Sequence, residues 1–274
     1  MGLADGGIAA GIGAGGDHLF VLRGVLRVIN DRRGEGIATT RIGTAGWGIP
    51  KPHAAAFPDE GTHLQRYARR FSAVEINSSF YRPHRPATYA RWAASVPTGF
   101  RFAVKVPREI THRRKLVAAT DLLDRFLAET QALGATLGPL LVQLAPSLRF
   151  DESVARGFFG SVRDRFDGDV VCEPRHAGWF TDDADALLAQ FRIARVAADP
   201  AVVPRAAEPS GWPGLIYRRL HGSPRIYYSD YPTAFLDRLA GLMRQDDWCI
   251  FDNTALGEAT GDALELLRRV SPAD

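Results

Sequence analysis

From Arg41 onward the chain alternates short apolar runs with longer stretches whose apolar residues recur at helical spacing. The short runs are Ile42–Gly46, Ala73–Asn77, Phe100–Val106, Pro139–Leu144, Val170–Pro174, Ile193–Ala198, Leu215–Leu220 and Trp248–Asp252. Brief, nearly continuous hydrophobic runs fit strands of a parallel sheet covered on both faces. The stretches between them, Gly61–Phe71, Ala87–Ser95, Asp121–Leu133, Glu152–Phe166, Asp183–Phe191, Thr233–Gln245 and Glu258–Val270, read as helices. Strand and helix in regular alternation predict an α/β fold, and eight strands in series predict a single (β/α)8 TIM-type barrel over residues 41–274. An open doubly wound sheet is the alternative. A GxGxxG turn after the first strand would favour it, and IGTAGWG lacks that spacing.

Punctuation supports the same division. Thr120 or Asp121, and Thr181, stand where helix N-caps are expected. Pro200, Pro204, Pro209 and Pro213 deny a long helix to Asp199–Gly214. Ahead of the alternating region, Met1–Gly16 is largely Gly, Ala and Ile, without the basic start and ordered regions of a signal peptide. Residues 1–40 therefore read as a flexible, disordered extension, or as an over-extended start of the reading frame.

Composition narrows the function classes. Hydrophobic residues make up 46% and charged residues 24%, ample for one sizeable core. The formal charge of +3 permits an anionic small-molecule substrate. The longest basic cluster, His112–Arg113–Arg114–Lys115, is too short to serve alone as a nucleic-acid stripe. No run approaches 18 apolar residues, so no membrane helix is expected. Cys172 and Cys249 lie in separate strand-like runs and read as core hydrophobes, which suits a reducing, cytoplasmic setting.

In a parallel barrel the chemistry collects at the C-terminal ends of the strands. Here the second run carries Glu75 and Asn77, the third Lys105, the fourth Gln143, and the fifth Glu173 followed by Arg175 and His176. Asp199 follows the sixth, Arg219 and His221 belong to the seventh, and Asp252–Asn253 close the eighth. The plain reading is a structural salt-bridge network plugging the barrel mouth. The functional reading is a pocket, because buried charge is costly unless paired, and perturbed protonation clusters at active sites. Aromatic residues gather at the same ends: Trp47, Phe80, Tyr81, Trp179, Tyr227, Tyr228 and Tyr231, as walls for a sugar or base would. Trp92 and Trp212 read as core or loop anchors.

IGTAGW (42–47), EINSSFYR (75–82), FRFAVKVP with ITH (100–112), LGPLLVQLAPSLRF (137–150), EPRHAGW (173–179), RLHG (219–222) and IFDN (250–253) stand in that order. Together they resemble the YecE-like proteins, domain-of-unknown-function family seventy-two, from about Arg41 to Val270. The resemblance implies a TIM-barrel-like fold and no established reaction. QLAP stands where the family usually has QLPP, and SL where it has SF, both at the exit of the fourth strand. The first forty residues have no counterpart in the family.

The expected chemistry is acid–base catalysis on a small polar, sugar- or nucleotide-like and possibly phosphorylated substrate. Glu75 and Glu173 would divide the acid and base roles, with Lys105 and His221 as further catalytic groups. Trp47, Asn77, Tyr81, Arg82, His112, Gln143, Arg175, His176, Trp179, Arg219, Tyr228, Tyr231, Asp252 and Asn253 would bind substrate, the arginines holding an anionic group bidentately. Glu75, Glu173, Asp199, His221 and Asp252 could instead hold a divalent metal, although no compact ligand motif is present, so metal and cofactor stay open. A non-catalytic ligand-binding or nucleic-acid-associated barrel is the second reading. No P-loop is present, a phosphate could sit at the start of the last helix near Gly257–Ala263, and the lack of a GxSxG elbow argues against the serine-nucleophile class.

Overall fold

The computed structural model describes residues 40–271; the extension expected over the first residues lies outside them. The strands are β1 (Arg41–Thr44), β2 (Ala73–Ile76), β3 (Arg101–Lys105), β4 (Leu137–Gln143), β5 (Val170–Glu173), β6 (Ile193–Arg195), β7 (Ala197–Asp199), β8 (Ser210–Gly211), β9 (Tyr217–Leu220) and β10 (Trp248–Phe251). The helices are α1 (His63–Ala68), α2 (Pro86–Ala94), α3 (Thr120–Thr130), α4 (Glu152–Arg163), α5 (Asp182–Gln190), α6 (Thr233–Leu242) and α7 (Glu258–Val270). The α/β alternation is as expected. Thr181 caps α5 by accepting from the Ala184 N–H, and Asp151 caps α4. α3 begins differently: Ala119 is its cap residue and no side chain caps it. The proline-rich segment carries no long helix, only a single tight turn at Pro204–Ala207 and the short β8.

The expected barrel is not reproduced as one continuous ladder. The strands form two sheets, ordered β1-β10-β9-β7 and β2-β3-β4-β5-β6-β8. All pairings are parallel except β6 with β8. Two local features interrupt closure. The expected sixth strand breaks at Val196, so β6 pairs with β5 while β7 pairs with β9. Between β1 and β2 the ladder is reduced to one bridge, Ala45 with Glu75. There the hydroxyl of buried Tyr67 accepts from the Thr44 N–H (2.8 Å) and donates to the Ala73 carbonyl (3.1 Å). A side chain thus stands where a strand-to-strand bond would run, and the backbone groups stay satisfied. Gly43 permits the approach, since a Cβ on it would lie 2.1 Å from the Ala73 oxygen.

Two apolar clusters result from strand alternation, because side chains two apart share a face. The larger joins the outer strand faces to the helices, through residues such as Phe102, Leu140, Cys172, Phe159 and Leu266. The smaller lies between the sheets and contains Ala73, Ala103, Leu141, Val171, Ala194, Val196, Tyr217, Trp248 and Ile250. Its small alanines make room for Tyr217 and Trp248, whose rings stack at 5.8 Å. Both cysteines are free and buried. Among the described residues no helix is long and apolar enough to cross a membrane.

Candidate functional site

The residues of the smaller cluster fix what comes next along each strand. Two positions after Ala73, Ala103, Leu141, Val171, Tyr217 and Ile250 stand Glu75, Lys105, Gln143, Glu173, Arg219 and Asp252, on the same face and toward the C-terminal ends. All six are buried, and His221, two beyond Arg219, joins them. An apolar layer is therefore followed by a layer of charge.

Arg219 is the hub. Its Nε and Nη2 donate to Glu75 Oε2 (3.0 Å) and Oε1 (2.8 Å), a bidentate pair. Its Nη1 reaches Glu173 Oε2 at 3.2 Å and its Nη2 lies 3.0 Å from Asp252 Oδ2. Tyr217 donates its hydroxyl to Glu75 Oε2 (3.0 Å). Glu173 also accepts from Gln143 (3.0 Å) and Arg175 (3.0 Å). His221 sits between two carboxylates, Nε2 at 2.8 Å from Glu173 Oε1 and Nδ1 at 3.0 Å from Asp252 Oδ2. Only an imidazolium carries a proton on both nitrogens, so this geometry calls for charged His221. Arg175 Nη1 also lies 3.1 Å from Nε2, an approach of like charges made tolerable by the Glu173 oxygen both share.

The protonation energetics follow. Burial would raise the Glu173 pKa, but His221, Arg219 and Arg175 outweigh it and hold the carboxyl well below its usual range. Burial opposes the His221 charge, and Glu173 and Asp252 overcome it, so its pKa is raised. Asp252 is lowered, burial being outweighed by Arg219 and His221. Lys105 goes the other way: burial and then Arg219 push its pKa down to about 8, against the pull of Glu75, Asp252 and Glu173. Its Nζ stands 4.3 Å over the Phe80 ring. Among the described residues it has no carboxylate within ion-pair distance. His112 meets the same ring edge-on at 4.9 Å, and its pKa is lowered by burial, Lys105 and Arg108. It belongs to a wide turn, Glu109–Arg113, in which the Arg114 N–H reaches back to the Glu109 carbonyl (2.9 Å), a rarer geometry frequent at functional positions.

The four residues expected to be catalytic, Glu75, Lys105, Glu173 and His221, are thus together, with Gln143, Arg175, Arg219 and Asp252. Both Glu173 oxygens are engaged, which leaves it poorly placed as a free acid. Several expected binding residues do other work. Trp179 is buried against Phe150, its indole N–H donating to the Leu148 carbonyl. His176 accepts from the Gly178 N–H and caps its own turn. Tyr231 is buried, and its hydroxyl accepts from the Gly222 N–H and donates to Asp199 (2.9 Å). Tyr228 is exposed, with Arg225 over its ring. Asn253 donates to Asp262 (2.7 Å) and the Ser229 carbonyl. Trp47 and Asn77 line one cleft of about 370 Å³ with His63. Tyr81 and Arg82 line another of about 290 Å³ with Phe80 and Phe126. Asp199, weighed as a metal ligand, is occupied by Tyr231. Among the described residues no group of three His, Cys, Asp or Glu side chains is arranged to hold a metal ion.

Sequence reasoning did not assign Tyr217 to the site, whereas Phe80 and Tyr227 were expected among its aromatic walls. Tyr227 meets His221 edge-on at 5.9 Å. Tyr217 was within reach of the alternation rule, lying two before Arg219.

Solved structures share this fold at low sequence identity. A family-seventy-two protein from Enterococcus faecalis V583 superposes with a TM-score of 0.71 at 19% identity, covering 86% of this chain and 97% of that one. One from Thermotoga maritima MSB8 gives 0.69 at 19% identity, covering 84% and 98%. In sequence, the UPF0759 protein YecE of Escherichia coli K12 is 31% identical over 140 residues, 51% of this chain and 49% of that protein. The match thus spans about half the length of this curated relative. The family model described as "Protein of unknown function DUF72" matches residues 41–274, and the chain belongs to that family.

Proposed function

We propose that this protein is an enzyme performing acid–base chemistry on a small polar, anionic substrate, with Lys105 as the group that exchanges protons. One observation carries the reading. In a cluster where every other charge is locked to partners, Lys105 is buried, unpaired, and shifted down to about 8. A titratable group poised near neutral pH is what general acid–base catalysis needs. Glu75, Glu173, Asp252, Arg219 and His221 then act as positioning residues that hold the local field. Arg175, charged His221, Arg219 and Lys105 face three carboxylates, an excess of one positive charge that an anionic substrate group would offset. In this reading the two sheets are halves of one (β/α)8-type barrel. The Val196 N–H donating to Cys172 (2.8 Å) and the Ala45–Glu75 bridge support that view.

The test incubates the purified protein and its Lys105→Met variant with a metabolite extract, with and without divalent metals, and follows depletion by mass spectrometry. Depletion of a small anionic metabolite by the wild type and not by the variant is expected. A metabolite retained unchanged by both proteins would favour the non-catalytic binding reading.

A further inference from the structure

Lys105 differs from every other cation of the site in what it can become. Of the 34 basic residues, only Lys51, Lys105 and Lys115 are lysine. The chain meets nearly every demand for positive charge with arginine, which cannot give up its proton in a protein. At the end of β3 it places an amine instead. That amine ends over an aromatic face, with no carboxylate within ion-pair distance among the described residues. Lys105 also keeps 5% of its surface open, whereas Glu75, Glu173, Arg219 and His221 keep none. Of these, the lysine alone keeps any exposure.

We infer that Lys105 forms an imine with a small aldehyde or ketone bearing a carboxylate or phosphate, a covalent step that deepens the acid–base reading and rests on it. The lysine ammonium gives up one proton and its lone pair attacks the carbonyl carbon. The carbinolamine then loses water, the oxygen having gained two protons and the nitrogen having lost two. The product is a protonated imine, so one positive charge stands at this position before and after the step. Glu75, Glu173 and Asp252 therefore meet the same charge at this position in the reactant and in the product, and the ion-pair network need not rearrange between them. The anionic group of the substrate would balance the excess positive charge counted above, with half-buried Arg175 the most open of the paired cations at the cluster. Burial and the neighbouring Arg219 guanidinium disfavour the ammonium and so favour the attacking form.

Borohydride trapping tests this directly. The full-length protein is incubated with sodium cyanoborohydride and pyruvate, dihydroxyacetone phosphate or uncharged glycolaldehyde, then digested and mapped by mass spectrometry. The exposed Lys51 and Lys115 serve as internal controls. At pH 8 an amine of pKa about 8 has about a hundredfold larger neutral fraction than an ordinary lysine. A reduced adduct concentrated on Lys105, formed faster with one of the anionic probes than with glycolaldehyde, is expected. The probe that reacts faster tells carboxylate from phosphate. Lys105→Met, which removes the nucleophile together with the buried charge, should fold and lose that adduct. Adducts shared evenly with Lys51 and Lys115, or none at Lys105 with any probe, would overturn the imine. In that event, metabolite turnover that still requires Lys105 would leave proton exchange standing and remove only the covalent step.

Discussion

Replacing Glu173 by Gln removes one negative charge from a position with almost no change of shape. In the wild type that charge faces Arg219 at 3.2 Å, Arg175 at 3.0 Å and His221 at 2.8 Å, and the carboxylate, Arg219 and His221 are fully buried. Breaking a buried pair by deleting one partner typically costs about 3–5 kcal/mol, because the remaining charge is stranded. For a chain of this length that is a melting-temperature drop on the order of 10 °C. His221 limits the damage, since it can release its proton once one of its two carboxylates is gone. The pH dependence separates this account from a simple packing defect. Glu173 is depressed, so its contribution is present above the unfolded value of about 4.3 and lost as pH falls through its folded pKa. His221 is raised, so its contribution is complete below about 6.5 and lost as pH rises through its folded pKa. The deficit of Glu173→Gln against wild type should therefore be greatest between about pH 5 and 6.5, and shrink on either side. Denaturant melts of both proteins across pH 3 to 9 measure it. A deficit below about 1 kcal/mol that stays flat with pH would refute the network as described.

Two further variants test other parts of the argument. Tyr67→Phe should cost about 1–3 kcal/mol in urea melts, since it strands the Thr44 N–H and Ala73 carbonyl in a buried seam. The Thr44 amide should lose hydrogen-exchange protection in that variant, and unchanged protection would show that the hydroxyl does not bridge the strands. Lys105→Met concerns the opposite sign of linkage. Because the wild-type amine is depressed to about 8, wild-type stability should climb by about 3 kcal/mol between that pH and about 10.4 relative to the variant, and a constant difference would mean Lys105 is not desolvated.

Much of the fold was legible because strand interiors announce themselves. Val170, Val171 and Cys172, or Trp248 to Phe251, are apolar on both faces, as strands covered on two sides must be. What the pattern could not convey was continuity between neighbours. The break at Val196 falls inside the run Ile193 to Ala198, one residue after Arg195, and hydropathy there does not say which neighbour each half pairs with. The seam between β1 and β2 depends on a tyrosine contributed by α1, six residues before the carbonyl it bonds. Such a wedge belongs to tertiary geometry. The caps show the same division: Thr181 acts locally and was found, whereas α3 begins without a side-chain cap.

The candidate site divides along a similar line. Residues whose placement follows from strand parity, from Glu75 and Lys105 to Arg219 and Asp252, could be gathered from the chain alone. Residues placed by loops were gathered less selectively: Arg175 joins the cluster, whereas Trp179, His176 and Tyr231 show how a loop aromatic or imidazole at a strand end can serve packing or capping instead. Parity also explains why Lys105 escapes pairing. It enters the layer from β3, beside β2 and β4, while the bidentate face of Glu75 is already held by Arg219 from β9. An arginine at position 105 would bring a permanently charged fork with no acceptor waiting for it. A lysine can shed its charge, and the cost of burying it becomes chemical availability. The same geometry that completes the ion pairs of this layer therefore leaves one amine outside them.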